Sequence, residues 1–166
     1  AHPDARFDYP DQHVEADNRL AWFLGELDRR FGDDTHYVHL RRDPEAVARS
    51  YAARWPAHRM QHEAGIMGAY AHGVFQQHEW PARERLDLAR SYVSTVTANI
   101  ELFLRGRPNV HRADLETLPD DIVRIWDAIG AEGDRERARA IAAEHHNVGP
   151  GPPTLPQQTH QLLQRW

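Results

Sequence analysis

Arg42 and Ser50 are the side chains whose types and spacing could do the most chemistry in this sequence. They lie in the stretch Tyr37-Val-His-Leu-Arg-Arg-Asp-Pro-Glu-Ala-Val-Ala-Arg-Ser-Tyr51. His36 to Leu40 reads as a short buried strand. Asp43-Pro44 then puts an N-cap carboxylate ahead of a proline at the first helical position, where the missing N–H costs nothing. A strand therefore delivers Arg42 to its carboxyl end as a helix begins, and Ser50 follows on that helix. Anions favour such a junction, because unpaired N–H groups and the positive end of the helix dipole converge there. Ligands of open α/β sheets also bind outside the carboxyl ends of strands. From Pro44 to Ser50 the helix rises about 9 Å, a gap an extended arginine closes, so both side chains can touch one phosphate. Spacing alone does not select that reading, since strand-Asp-Pro-helix is a common joint and arginines at helix starts are usually solvated.

Composition narrows the chemistry. The 166 residues contain no cysteine, and all 20 basic residues are arginine. Disulfides, a cysteine nucleophile, a lysine Schiff base and a phosphate-loop lysine are all excluded, so a bound phosphate must be held by arginine forks, hydroxyls or backbone N–H groups. A formal charge of -5 argues against nucleic acid as a partner, because that affinity rests on a basic face. No apolar run is long enough to cross a bilayer and no secretion signal is visible, so the expectation is a cytoplasmic protein with no membrane partner.

The elements that must position these residues follow from periodicity. Leu20, Leu24, Leu27 and Phe31 predict a helix over about Val14 to Phe31, stopped by Gly32, after an irregular opening from Ala1 to Gln12. Val47, Tyr51 and Trp55 line the helix after Asp43. Gln61 to Gln77, with three glycines, reads as an interrupted helix. Leu86, Ala89, Val93, Val96, Ile100 and Phe103 predict the inward face of a long helix from Pro81 to about Leu104. Asn109 to Ala113 reads as a second short strand. Pro119 then opens a helix with Ile122, Trp126 and Ile129 inward and Gly130 at its end. Asp134 caps another to about His145, and 148–166 reads as an irregular tail with a short helix. The order suits a single α/β domain, residues 1–166, with helices over a parallel sheet, although two strands are too few for such a sheet alone.

The Arg42–Ser50 stretch resembles the 3′-phosphate-binding segment of sulfotransferases that use 3′-phosphoadenosine 5′-phosphosulfate (PAPS), in which a strand ending in arginine leads into a helix carrying a serine eight positions later. Asp43-Pro44 and Val47-Ala48 also fit bacterial members, and Arg41 is a weaker neighbour. Val110-His-Arg-Ala-Asp-Leu-Glu116, followed by Ile125-Trp-Asp-Ala-Ile-Gly130, is similar to the family's later strand, acidic-leucine pair and helix ending in glycine. The resemblance implies a P-loop-kinase-like parallel-sheet domain, here its helix-rich part. It implies transfer of a sulfonate from PAPS to a hydroxyl or amine of a small-molecule or glycan acceptor, with Arg42 and Ser50 as cofactor ligands and no metal. Arg112 stands where family members often carry a tyrosine on the adenine. The family's 5′-phosphosulfate loop is absent, as none of the 10 glycines lies in one. The expectation is thus an incomplete domain lacking its amino-terminal strand, loop and helix, inactive by itself, with an exposed sheet edge that another chain would cover. The catalytic base stays unassigned; His2 is the early histidine most like one.

Two other classes compete. Twelve histidines allow a histidine-rich helical metal-binding protein, with His58 and His62 on one helical face and Glu63, His72, His78 and Glu79 nearby. His145 and His146 would point in different directions on a helix. The third class is a sulfotransferase-like interaction module that kept the fold and lost the chemistry.

Overall fold

The computed structural model describes residues 3–54, 65–77 and 80–144. His2, Trp55, His58, His62, Glu63, His78, Glu79, the His145-His146 pair and the tail 148–166 lie outside them. The protein is α/β, with a two-stranded parallel sheet among the described residues: β1 (Tyr37–Arg41) pairs with β2 (Val110–Asp114), Tyr37 opposite Val110 and Arg41 opposite Asp114. The helices are α1 (Leu24–Phe31), α2 (Pro44–Arg54), α3 (Gly65–Gly68), α4 (Ala82–Leu104), α5 (Leu118–Ala128) and α6 (Arg135–Ala142). α3 runs on into a wider π-type turn, Ala69–Val74.

The strands sit one residue later than the hydrophobic runs suggest, because the Arg41–Asp114 clasp extends the ladder by one rung. Arg41 Nε and Nη2 donate to Asp114 Oδ1 and Oδ2 at 2.9 and 2.7 Å. Tyr37, His39 and Arg112 face α4: the Tyr37 and Phe103 rings meet edge to face at 5.0 Å, and Glu101 accepts from His39 and Arg112. On the opposite face, Val38 and Leu40 are 51% and 54% exposed. Parallel strands are ordinarily covered on both faces, so this bare apolar strip is unusual for the class.

The single helix predicted from Val14 to Phe31 is instead a 3-10 turn, Asn18–Trp22, followed by α1. Asp17 is the cause. Its carboxylate takes the Arg19 backbone N–H at 2.8 Å and the Arg6 guanidinium at 2.6 Å, which holds residue 17 extended (φ -141°, ψ 120°) and stops a helix from running through it. The opening stretch also contains a 3-10 turn, Pro3–Phe7, rather than wholly irregular chain. Gly32 ends α1 as expected, with φ 50°, a backbone region open to glycine.

The core lies between α2, α3 and α4. Ala48, Met67, Tyr70, Ala71, Leu88, Ala89 and Tyr92 are its buried residues. The buried face of α4 is therefore rotated from the predicted one: Ala89 is buried as predicted and Leu88 and Tyr92 join it, whereas Leu86, Val93 and Val96 only flank the core. Two partners impose the rotation, because Tyr92 packs edge to face on Tyr51 of α2 at 5.5 Å and on Tyr70 beyond α3 at 5.1 Å. In α5, likewise, Ile125 is the buried residue, and Ile122, Trp126 and Ile129 are half-buried around it. α6 starts at the predicted cap, Arg137 N–H donating to Asp134 Oδ1 at 2.9 Å, and stops at Ala142 rather than near His145.

Asp43 caps α2 as the sequence predicts, accepting the Ala46 N–H at 2.9 Å. Asp43→Ala is expected to cost about 0.5–2 kcal/mol, read as a lower urea midpoint with an unchanged slope.

Candidate functional site at the end of strand one

The carboxyl end of β1 carries three arginines in different states. Arg41 is clasped by Asp114 across the sheet. Arg49, one turn into α2, donates Nε to Glu45 Oε1 at 3.0 Å. Glu45 is shared further, since Arg90 of α4 donates Nε and Nη2 to its two oxygens at 2.9 and 2.7 Å. Arg90 foremost, with help from Arg49, holds the Glu45 carboxyl down at about 2, so it stays ionised across the physiological range. Arg42, between these two, is exposed and makes no hydrogen bond, ion pair or ring contact with any described residue.

Ser50 lies six residues into α2 and is half-buried. Its carbonyl accepts Arg54 Nε at 3.1 Å, and its hydroxyl has no described partner. The Arg54 guanidinium rests 5.2 Å from the Tyr51 ring centroid. Arg42 thus stands at the strand–helix junction and Ser50 nearly two turns further along α2; they do not bond to each other, and each has donors without a described partner.

The helix end offers less than the sequence suggests. Pro44 has no N–H, Ala46 donates to the Asp43 carboxylate and Val47 to the Asp43 carbonyl at 3.1 Å. Only the Glu45 N–H remains unsatisfied in the first turn among described groups, and two carboxylates stand close by. An anion here must be drawn mainly by the Arg42 guanidinium, a fork that meets phosphate oxygens two at a time.

Arg112, at the position where the resemblance places an adenine contact, is exposed, and its Nη2 donates to Glu101 Oε2 at 2.7 Å. It would have to leave that carboxylate to stack on a base. Glu101 also meets His39 Nδ1 at 3.0 Å, and Arg112 first, then His39, lowers its pKa. This His39–Glu101–Arg112 group escaped the sequence reading because its members are separated along the chain. A histidine and an arginine directly opposite each other on a parallel ladder become neighbours only once the register is known.

Of the histidines and carboxylates considered for metal, His72 is the one that is described, and no group of three or more such side chains among the described residues could hold an ion. A cavity of about 360 Å³ is an open groove between α4 and the first helical turns, lined by Trp22, Leu24, Asn99, Leu102 and Phe103, away from Arg42. No helix among the described residues is long and apolar enough to cross a membrane. Fold and site together define an α/β protein with an arginine that has no partner among the described residues at a parallel strand–helix junction. The chain matches no protein family, no characterised protein and no solved structure.

Proposed function

We propose that this chain is the 3′-phosphate-binding part of a sulfotransferase, which moves a sulfonate from PAPS to a hydroxyl or amine acceptor. The observation that carries the reading is the state of Arg42. Its two basic neighbours, Arg41 and Arg49, are paired with Asp114 and with a Glu45 that Arg90 shares, and of the three only Arg42 has no carboxylate partner among the described residues. A guanidinium held at a strand's carboxyl end with no carboxylate is available to a ligand anion.

In such an enzyme the sulfonate passes by in-line displacement from the phosphate oxygen of PAPS to the acceptor oxygen or nitrogen. Adenosine 3′,5′-bisphosphate leaves, and a base takes the acceptor's proton. Arg42 and Ser50 touch none of the reacting atoms. They anchor the far end of the donor, so that binding energy at the 3′-phosphate fixes the position of the sulfur. The exposed Val38 and Leu40 support an incomplete sheet, with the groups that grip the phosphosulfate lying beyond these residues.

The test is ligand discrimination. Calorimetric titration is expected to show adenosine 3′,5′-bisphosphate binding at least about tenfold more tightly than adenosine 5′-phosphosulfate, which lacks the 3′-phosphate, since one charge-assisted contact contributes on that scale. Equal affinities, or no binding of either, would remove the basis for the assignment. Stoichiometric zinc, nickel or iron after dialysis would favour the metal-binding class instead.

A further inference from the structure

His36 and His111 are separated in sequence by 75 positions, yet His36 Nδ1 lies 2.9 Å from His111 Nε2. Their ring centroids are 5.2 Å apart and their planes differ by 25°. Two imidazole radii fill the difference between those distances when the rings meet end to end, so the nitrogens face each other along one line. A proton fits that line, one ring donating its N–H and the other accepting. A metal ion fits it poorly, because imidazoles on one ion converge at an angle.

We infer that this pair is an acid-labile latch tying the entrance of β1 to β2. With both rings neutral the bond forms, and one added proton keeps it, now with an imidazolium donor. A second proton removes the acceptor and leaves two cations in contact. The other charge facing the pair is Arg124 of α5, whose Nη2 is bonded to Asp121 and to the Arg112 carbonyl. Glu101 and the Arg112 side chain belong to the face turned to α4, so among the described residues no carboxylate bonded to the pair relieves the second charge. Burial, then His36 and Arg124, lowers the pKa of His111.

The sign follows from that direction. The unfolded chain takes up its proton at the ordinary histidine value near 6.5, before the folded chain does, so the latch contributes fully above that pH and is lost as pH falls through the lower folded value. The Arg41–Asp114 clasp closes the other end of the ladder, so acid loosens the amino end, where Tyr37 N–H to the Asn109 carbonyl and Asn109 to the Asp33 carbonyl remain, and leaves the Arg42 junction tied.

The experiment is urea unfolding of the whole chain with His36→Asn, His111→Gln and the double variant, at about pH 7.5 and about pH 5, the two sides of the histidine range. Near pH 7.5 the cycle should show a coupling of roughly threefold to tenfold in the unfolding constant, which shrinks as the pH is lowered toward about 5. Between the two, the wild-type constant should rise more steeply than that of His111→Gln, by up to about tenfold per pH unit. Nitrogen-15 spectra of the folded wild type should show the His111 ring taking up its proton below the ordinary histidine range. Additive variants at both pH values, or a His111 ring that titrates identically in wild type and His36→Asn, would overturn the latch. So would stabilisation by added zinc that the double variant loses, which would make the pair a metal site.

Discussion

Arg42→Ala is expected to weaken binding of adenosine 3′,5′-bisphosphate by roughly tenfold to a hundredfold, the scale of one charge-assisted contact to a phosphate. Ser50→Ala should cost less, since it removes one neutral donor. Both losses should nearly vanish for adenosine 5′-phosphosulfate. Arg49→Ala is the cleaner control, because it removes the same charge nearby from a side chain already spent on Glu45. Arg41→Ala is a control with a structural component, as it strips Asp114 of its clasp. If a general field attracted the ligand, all three arginine variants would weaken binding alike, and salt would weaken it in parallel. Affinity unchanged by Arg42→Ala would refute the assignment of this residue. Its exposure makes the experiment readable, since no described contact is lost with the side chain and the fold should be unaffected.

Leu88→Ala is expected to destabilise the protein by about 2–5 kcal/mol, a large share of the roughly 5–15 kcal/mol that holds a domain together. Leu88 is 3% exposed at the meeting of α2, α3 and α4, and truncation leaves a cavity that those packed elements cannot easily close. Leu86→Ala should cost a fraction of that, since Leu86 flanks the core. Urea midpoints with unchanged slopes would measure the difference. The pair separates two registers of the same helix: periodicity alone ranks Leu86 as an inward residue, whereas the packing ranks Leu88 above it. Equal losses would show the buried face of α4 to be wrongly placed.

The sequence by itself determined the local joints. The Asp43 and Asp134 caps, Pro44 at the first position of α2, and the stops at Gly32 and Gly130 depend on contacts within a few residues, so they are readable where they stand. The two short strands were legible for the same reason, as was the placing of Arg42 just beyond β1 and Ser50 on α2. The role of that pair came from resemblance to a family rather than from spacing.

What only the tertiary structure decided is whatever depends on partners far along the chain. Arg6 pinning Asp17 divides the predicted first helix. Tyr51 and Tyr70, meeting Tyr92, turn α4 so that Leu88 is buried. The parallel register sets Arg41 on Asp114 and His36 beside His111, and it leaves Arg42 without a partner among the described residues, between two arginines that have carboxylates. In the sequence Arg41, Arg42 and Arg49 are three equivalent cations. Which of them is free is settled by where Asp114 and Glu45 fall in space, because a charge is available to a ligand only when the fold has given it no carboxylate of its own.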